Sequence, residues 1–313
     1  MNSTAKITSE WSKVLSRLRL PIIAAPMFLI SGPRLVVAAC RAGIVGAFPT
    51  QYARTSEDLR TWLEEIQSGL ASEGGGNHAP YAATIIVHPT NPRVDADVDL
   101  MCEFKVPIVI GSVGNAGRIV DRIHSYGGIV LTDIAKVSHA RKAVESGVDG
   151  LILLCAGAGG HTGSLNPFGF VQAVRSFYAG PIGLAGSIGN GRAIRAAQAL
   201  GADFAYMGTR FIAARESDAC ADYRTMIAEA DADQVILTSS ITGIPANWLA
   251  GSLKRLGYDD HQGTLPGDFD VGVHIKAWRD LWGAGHGVGT TSKVESVEEI
   301  VATLEGEYKN AGC

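Results

Sequence analysis

Short, almost continuously apolar runs recur along the first two thirds of the chain, with amphipathic stretches between them. The runs are Ile22–Ala25, Ile44–Ala47, Ala83–Val87, Ile108–Ile110, Ile129–Leu131, Leu151–Leu154, Ile182–Ala185 and Phe204–Met207. Apolar on both faces and too short for helices, they read as parallel strands buried on two sides. Helices are expected over Pro33–Arg41, Ser56–Ser72, Ala116–His124, Ser138–Ser146, Phe168–Phe177 and Gly191–Leu200, several with apolar residues three and four apart. Three joints repeat one phrase: Arg41-Ala42-Gly43-Ile44, Glu145-Ser146-Gly147-Val148-Asp149-Gly150 and Ala199-Leu200-Gly201-Ala202-Asp203-Phe204. Each ends a helix on glycine and enters a strand within a few residues. Repeated αβ joints feeding eight strands predict an α/β fold, a (β/α)8 TIM barrel with a C-terminal cap. A doubly wound sheet is the rival, but its dinucleotide fingerprint is missing. The richest glycine run, Gly157 to Gly163, has Thr162 where the third fingerprint glycine belongs.

The rhythm stops after Arg215. A helical stretch over 217–233, loop-rich segments at Thr238–Pro245 and Gly263–Asp270, a glycine-dense run ending at Gly289 and an acidic helix over Val297–Lys309 follow. Residues 1–215 are therefore read as the barrel core and residues 216–313 as a cap over one mouth. Gly74-Gly75-Gly76 marks a flexible turn before the third strand.

Of 313 residues, 46% are hydrophobic and 19% charged, so a large core can be buried. A net charge of −4 with no basic block argues against nucleic-acid binding. The longest apolar stretches are broken by Pro21, Pro26, Arg34 and Arg41, short of the ~20 residues that span a bilayer. The N-terminal MNSTAKITSEWSK lacks the apolar run of a signal peptide, and a cytoplasmic protein is expected. Five scattered cysteines without a CxxC pair argue against a disulfide framework or structural zinc. No H-x-x-x-H or carboxylate cluster suggests any other metal. The apolar fraction allows a homodimer without requiring one.

Active sites of such barrels lie at the C-terminal ends of the strands. There the chain places Pro26-Met27, His88-Pro89-Thr90-Asn91, Asp133, the Cys155–Gly163 run, Gly186-Ser187 and Gly208-Thr209. The last two loops, glycine-rich and each with a hydroxyl, suit a phosphate. A sugar-phosphate isomerase would want a lysine or glutamate at another strand end, and Lys136 lies several residues past its strand. Flavin mononucleotide (FMN) needs the same phosphate grip plus a flat apolar seat, which Ala25-Pro26-Met27 and Ala156–Gly160, including Ala158 and Gly159, would supply. His161, in a glycine-walled loop at the rim, is the candidate base. His88 and Asn91 either contact substrate or simply shape their loop. His124, His139 and His261 read as helix or surface residues.

Pro21–Met27, Ala158–Gly163 and the Gly201-Ala202-Asp203 to Met207–Phe211 stretch resemble, in order, the signature segments of the nitronate monooxygenase family, formerly called 2-nitropropane dioxygenases. The likeness covers roughly residues 20–215 and is weaker over 283–289. Flavin-dependent enoyl-acyl-carrier-protein reductases and NAD(P)H:quinone reductases share the same framework. The resemblance implies a barrel that binds FMN non-covalently and oxidises a small substrate, an alkyl nitronate, with O2 to a carbonyl compound and nitrite. By position His161 matches the family histidine, and Ala25, Met27, Gly160, Gly186, Gly208 and Thr209 match flavin-contacting positions. Two departures stand out. Asp133 sits where several relatives carry lysine, and His286, in Ala284-Gly285-His286, sits where relatives commonly show Ala-Gly-Gln. His286 is either a second substrate-facing group or part of a cap turn. The alternative activity is an NAD(P)H-dependent FMN reductase acting on a quinone or enoyl thioester, which needs a cap that admits a nicotinamide. A flavin- or phosphate-binding protein without turnover is the third reading. The apolar cap residues Ile241, Ile244, Trp248 and Leu249 would accept many substrate shapes.

Overall fold

The computed structural model describes residues 10–71, 78–258 and 278–311. The Gly74–Gly76 turn, His261 and the Gly263–Asp270 segment lie outside the described residues. Eight parallel strands close into a barrel: β1 (Ile22–Ala24), β2 (Val45–Pro49), β3 (Tyr81–Ile86), β4 (Ile108–Ser112), β5 (Ile129–Ile134), β6 (Gly150–Leu154), β8 (Ile182–Ala185) and β9 (Phe204–Met207). The ring closes where β9 pairs with β1, Ala205 opposite Ile22 and Met207 opposite Ala24. Between strands run α1 (Pro33–Arg41), α2 (Ser56–Ala71), α3 (Val94–Glu103), α4 (Gly117–His124), α5 (Val137–Glu145), α6 (Pro167–Arg175) and α7 (Gly191–Leu200).

These elements follow from the local sequence. Asn166 and Asn190 accept hydrogen bonds from Phe168 N and Ala193 N at the starts of α6 and α7. Gly201 ends α7 with φ +112°, a left-handed cap that favours glycine. Helix α3 is absent from the sequence expectation because its stretch, VDADVDLMCE, is too acidic to show an apolar stripe. Val94, Val98 and Met101 nevertheless bury at helical spacing. Asp97 is buried with them and accepts a hydrogen bond from Arg93 at 3.0 Å.

Side chains alternate across each strand, one set outward under the helices and one into the barrel. The inward set fills the lower barrel with Ile23, Ala82, Ile108, Ile110, Leu131 and Ile152. Trp11 plugs its base against Phe204, ring centroids 4.8 Å apart. Farther along the same strands the inward positions become Thr84, Ser112, Asp133 and Tyr206. The interior turns polar only at the C-terminal end. Strands β4 and β5 run beyond their apolar stretches, so Asp133 lies inside β5 rather than after it.

Past the barrel come α8 (Thr209–Ile212), α9 (Ala221–Glu229), the strands β10 (Val235–Thr238) and β11 (Ala246–Leu249), α10 (Ala250–Arg255) and α11 (Val297–Asn310). β11 pairs antiparallel with β10 and with the two-residue β7 (Gly160–His161), making a small sheet over the mouth. α11 packs instead on α7 and α1, in the outer ring of helices. There a Cβ on Gly191 would lie 2.2 Å from Tyr308 N, so only glycine lets the two helices approach this closely. Among the described residues no helix is long and apolar enough to cross a membrane.

Candidate active site

The C-terminal mouth of the barrel holds a cavity of about 270 Å³. Its walls include all ten residues expected to seat the cofactor: Ala25, Pro26, Met27, Ala158, Gly159, Gly160, Gly186, Ser187, Gly208 and Thr209, together with His161. One wall is the segment after β1. Ala25 N donates to Met207 O, and Met27 N to Ser31 Oγ, which fixes this turn against β9.

The adjoining wall is built largely from backbone. A Cβ on Gly159 would lie 2.7 Å from Gly285 N, and one on Gly208 would lie 3.3 Å from Met27 Sδ. Gly186 has φ +127°, and Ser187 beside it is left-handed at φ +57°. A non-glycine residue held there stores strain of about 1–3 kcal/mol, a cost that recurs where a ligand site dictates the chain path. Thr209 Oγ1 accepts from Gly285 N at 2.9 Å, which leaves its own O–H free to donate. These glycines are the test of fit for a flavin. A flat ring system and a phosphate need backbone at close range, and Gly157, Gly159, Gly160, Gly186 and Gly208 all line the cavity, with the Ser187 and Thr209 hydroxyls among them.

The cap is tied to the wall at several points. Asn247 of β11 donates from Nδ2 to Ala158 O at 2.7 Å, and His286 N donates to Gly157 O at 3.0 Å. Tyr223 of α9 donates to Gly283 O at 2.6 Å and stacks on Trp282. Thr162, at the place a third fingerprint glycine would occupy, donates to Cys155 O and closes the β6–β7 loop on itself. Burial pushes the Cys155 thiol up to about 12, so it stays a thiol at the base of that loop.

His161 lies on β7 with Ala246 as its partner across the ladder, and its ring meets the edge of Trp278 at 5.6 Å between centroids. Trp278 in turn stacks on Trp248 at 4.1 Å. The histidine therefore stands against an aromatic wall, directly after Gly160 at the edge of the cavity. The floor of the cavity is polar: Ser112 Oγ donates to Asp133 Oδ2 at 2.6 Å, and Tyr206 faces them from β9. Burial, opposed by that hydrogen bond, lifts the Asp133 carboxyl to about 6. Burial and the nearby Asp133 push the Tyr206 phenol well above its ordinary range.

The other expected contacts stand elsewhere. His88 Nδ1 bonds to Thr90 Oγ1 at 2.8 Å, while Asn91 donates to Ile86 O and accepts from Arg93 N. Neither lines the cavity. His286 is exposed beside Gly157 and Ser187, at the glycine wall and not beside Trp278. Thr84, Ser112, Tyr206 and Trp278 do line it, although no motif marks them. Strand alternation carried two residues beyond the Ile108–Ile110 run would have found Ser112, while Thr84 lies inside the Ala83–Val87 run, on the inward face with Ala82 and Ile86. Among the described residues, no group of three histidine, cysteine or acidic side chains is placed to hold a metal.

The profile of the nitronate monooxygenase family matches residues 76–270, more than half of the chain. A nitronate monooxygenase of Paraburkholderia phytofirmans is 26% identical over 340 aligned positions, covering 93% of each chain. The FabK protein of Thermotoga maritima superposes with a TM-score of 0.79 at 27% identity, over 96% of this chain and 95% of that one. A nitroalkane oxidase of Streptomyces ansochromogenes has the same fold, with a TM-score of 0.80 at 22% identity over 95% and 98%. The chain belongs to the nitronate monooxygenase family, flavin-dependent oxidoreductases built here on a (β/α)8 barrel.

Proposed function

We propose that this protein binds FMN non-covalently in the barrel mouth and oxidises alkyl nitronates, or the nitroalkanes they come from, with O2 to a carbonyl compound and nitrite. The observation behind this reading is His161, which lines the cavity against Trp278 and shares it with a glycine-rich wall. FMN, when bound, supplies the electron acceptor. The segment Ala25–Met27 and the Gly157–Gly160 turn would flank its ring, and Gly186, Ser187, Gly208 and Thr209 would hold its phosphate. Residues 1–215 then provide the flavin barrel and the segment after 216 its cover, except for α11 in the outer ring.

His161 has two tasks open to it. As neutral imidazole it takes the proton from the α-carbon of a nitroalkane; as imidazolium it faces the negative charge of a nitronate. Trp278, backed by the buried Trp248, excludes water beside it and gives an apolar wall for an alkyl chain. His161→Asn is expected to retain flavin and to lose about 10²–10⁴-fold in kcat/KM on a neutral nitroalkane. If proton abstraction is its main task, the same variant keeps most of its turnover when the nitronate is supplied ready-made. Wild-type rates on the nitroalkane would remove His161 from the mechanism.

A second reading is hydride transfer from NAD(P)H through FMN to a quinone or enoyl thioester. The 27% identity to FabK over nearly the whole chain favours it. The purified protein under anaerobic conditions separates the two. Flavin absorbance that bleaches with a nitronate and ignores NADPH supports the oxidase reading. Bleaching by NADPH alone supports the reductase, and a colourless protein that cannot be loaded with FMN overturns both.

A further inference from the structure

The inward positions of β5 are Ile129, Leu131 and Asp133, and only the last meets the cavity rather than the packed core. Its carboxylate is held on two sides. Ser112 Oγ donates to it at 2.6 Å, and the Val113 amide donates as well. To stand there Val113 adopts φ +48°. For a β-branched residue this is a true outlier, and such strain persists only where its surroundings enforce it.

The groups that face Asp133 are few. β9 brings the Tyr206 phenol, whose shift far above its ordinary range keeps it neutral. β4 brings the Ser112 hydroxyl. β6 brings Ile152, its pairing partner, and the cavity-lining Leu154; β3 contributes the buried Thr84 hydroxyl. None of these supplies a counter-charge. Burial already moves the carboxyl to about 6, where a small change in local field changes its protonation.

We propose that Asp133 is the proton store of the flavin pocket: a carboxyl fixed by Ser112 and Val113 that takes up one proton from solvent when the flavin is reduced and releases it on reoxidation. The idea rests on the FMN reading above. Two electrons and one proton convert the isoalloxazine to a monoanion. A new negative charge in the same cavity raises the affinity of Asp133 for a proton. The second proton then enters with the electrons but resides on the carboxyl, and on reoxidation O2 takes both electrons and both protons and leaves as hydrogen peroxide.

The test is the midpoint potential of the FMN-loaded protein followed from about pH 5 to about pH 8, which counts protons taken up per electron pair. Wild type is expected to take up two protons per electron pair from near the Asp133 titration upward, and Asp133→Asn only one, halving the slope. Ser112→Ala removes a donor from the carboxylate, so the break in the wild-type curve moves to higher pH. A reduced-minus-oxidised infrared spectrum should show a protonated-carboxyl band in wild type that Asp133→Asn lacks. Superimposed potential curves for the three proteins, with no carboxyl band, would mean the ring itself takes the second proton and would overturn the proposal. Failure of the FMN reading looks different: wild type itself stays colourless after loading, and the proposal falls with it.

Discussion

Glycine shows at the residue scale how narrow the tolerances of this site are. At Gly159 an added methyl would meet Gly285 N at 2.7 Å and Ala284 C at 3.0 Å, both backbone atoms that cannot rotate away. At Gly169, within α6, the same methyl would meet nothing within 4 Å. Alanine should therefore act in opposite directions at the two positions. Gly169→Ala removes a flexible residue from a helix and is expected to stabilise the fold by about 0.5–1 kcal/mol. Gly159→Ala drives the cap segment off the wall and should weaken FMN binding about 10-fold or more, equivalent to about 1.4 kcal/mol. Flavin-fluorescence titration and a denaturant melt of both variants read the contrast. Equal flavin affinities would show that the wall yields and that the close contact has no bearing on the ligand.

At the scale of elements, the strand and helix pattern was largely legible, since short runs buried on both faces and glycine-ended helices look alike in sequence and structure. Two kinds of element were not. Helix α3 hides behind its acids because only tertiary contact shows which of them, Asp97, turns inward to Arg93. β4 and β5 were cut short because their last inward residues are polar, and those residues form the floor of the cavity. The same limit hid Ser112, whereas Thr84 and Tyr206 lie inside runs that read as almost continuously apolar and nothing set them apart. The glycine wall was visible because glycine leaves a compositional mark that a single threonine or tyrosine in a strand does not. The short α8 is another element fixed by distant chain. Arg210 on it donates to Glu295 at 2.6 Å, with both side chains under 10% exposed (5% and 7%). Burial would raise the Glu295 carboxyl, but the Arg210 and Lys293 contacts outweigh it and hold the group below its usual 4.5. Its contribution to stability is thus fully present above that value and lost as pH falls through the lower folded one. Glu295→Gln leaves a buried guanidinium without its counter-charge and is expected to cost about 3–5 kcal/mol near neutrality. Because Thr209 begins α8, flavin retention should drop as well. The difference between variant and wild type should shrink in acid, and a difference independent of pH would show that the pair contributes through shape and not charge.

Across the whole molecule, chemistry and stability are assigned to opposite places. Trp11 and the apolar inward residues fill one end of the barrel, while the polar floor, the glycine wall and His161 occupy the other. The outer ring would be open between α7 and α1 if the chain stopped after its cap, and α11 fills that place. Val297, Ile300, Val301 and Leu304 are buried there, with Arg19 donating to Glu298 and Glu305 at the edge. None of these residues lines the cavity. The segment after 216 thus crosses the mouth first and returns to the scaffold last, which fastens the cap at both ends. Leu304→Ala tests this separation. A buried leucine cut to alanine is expected to cost about 2–5 kcal/mol in chemical denaturation, yet the folded variant should keep the wild-type flavin spectrum and the wild-type kcat/KM. Loss of turnover in protein that remains folded would mean that α11 holds the catalytic end in shape, and that the two functions of the barrel are not separable in this chain.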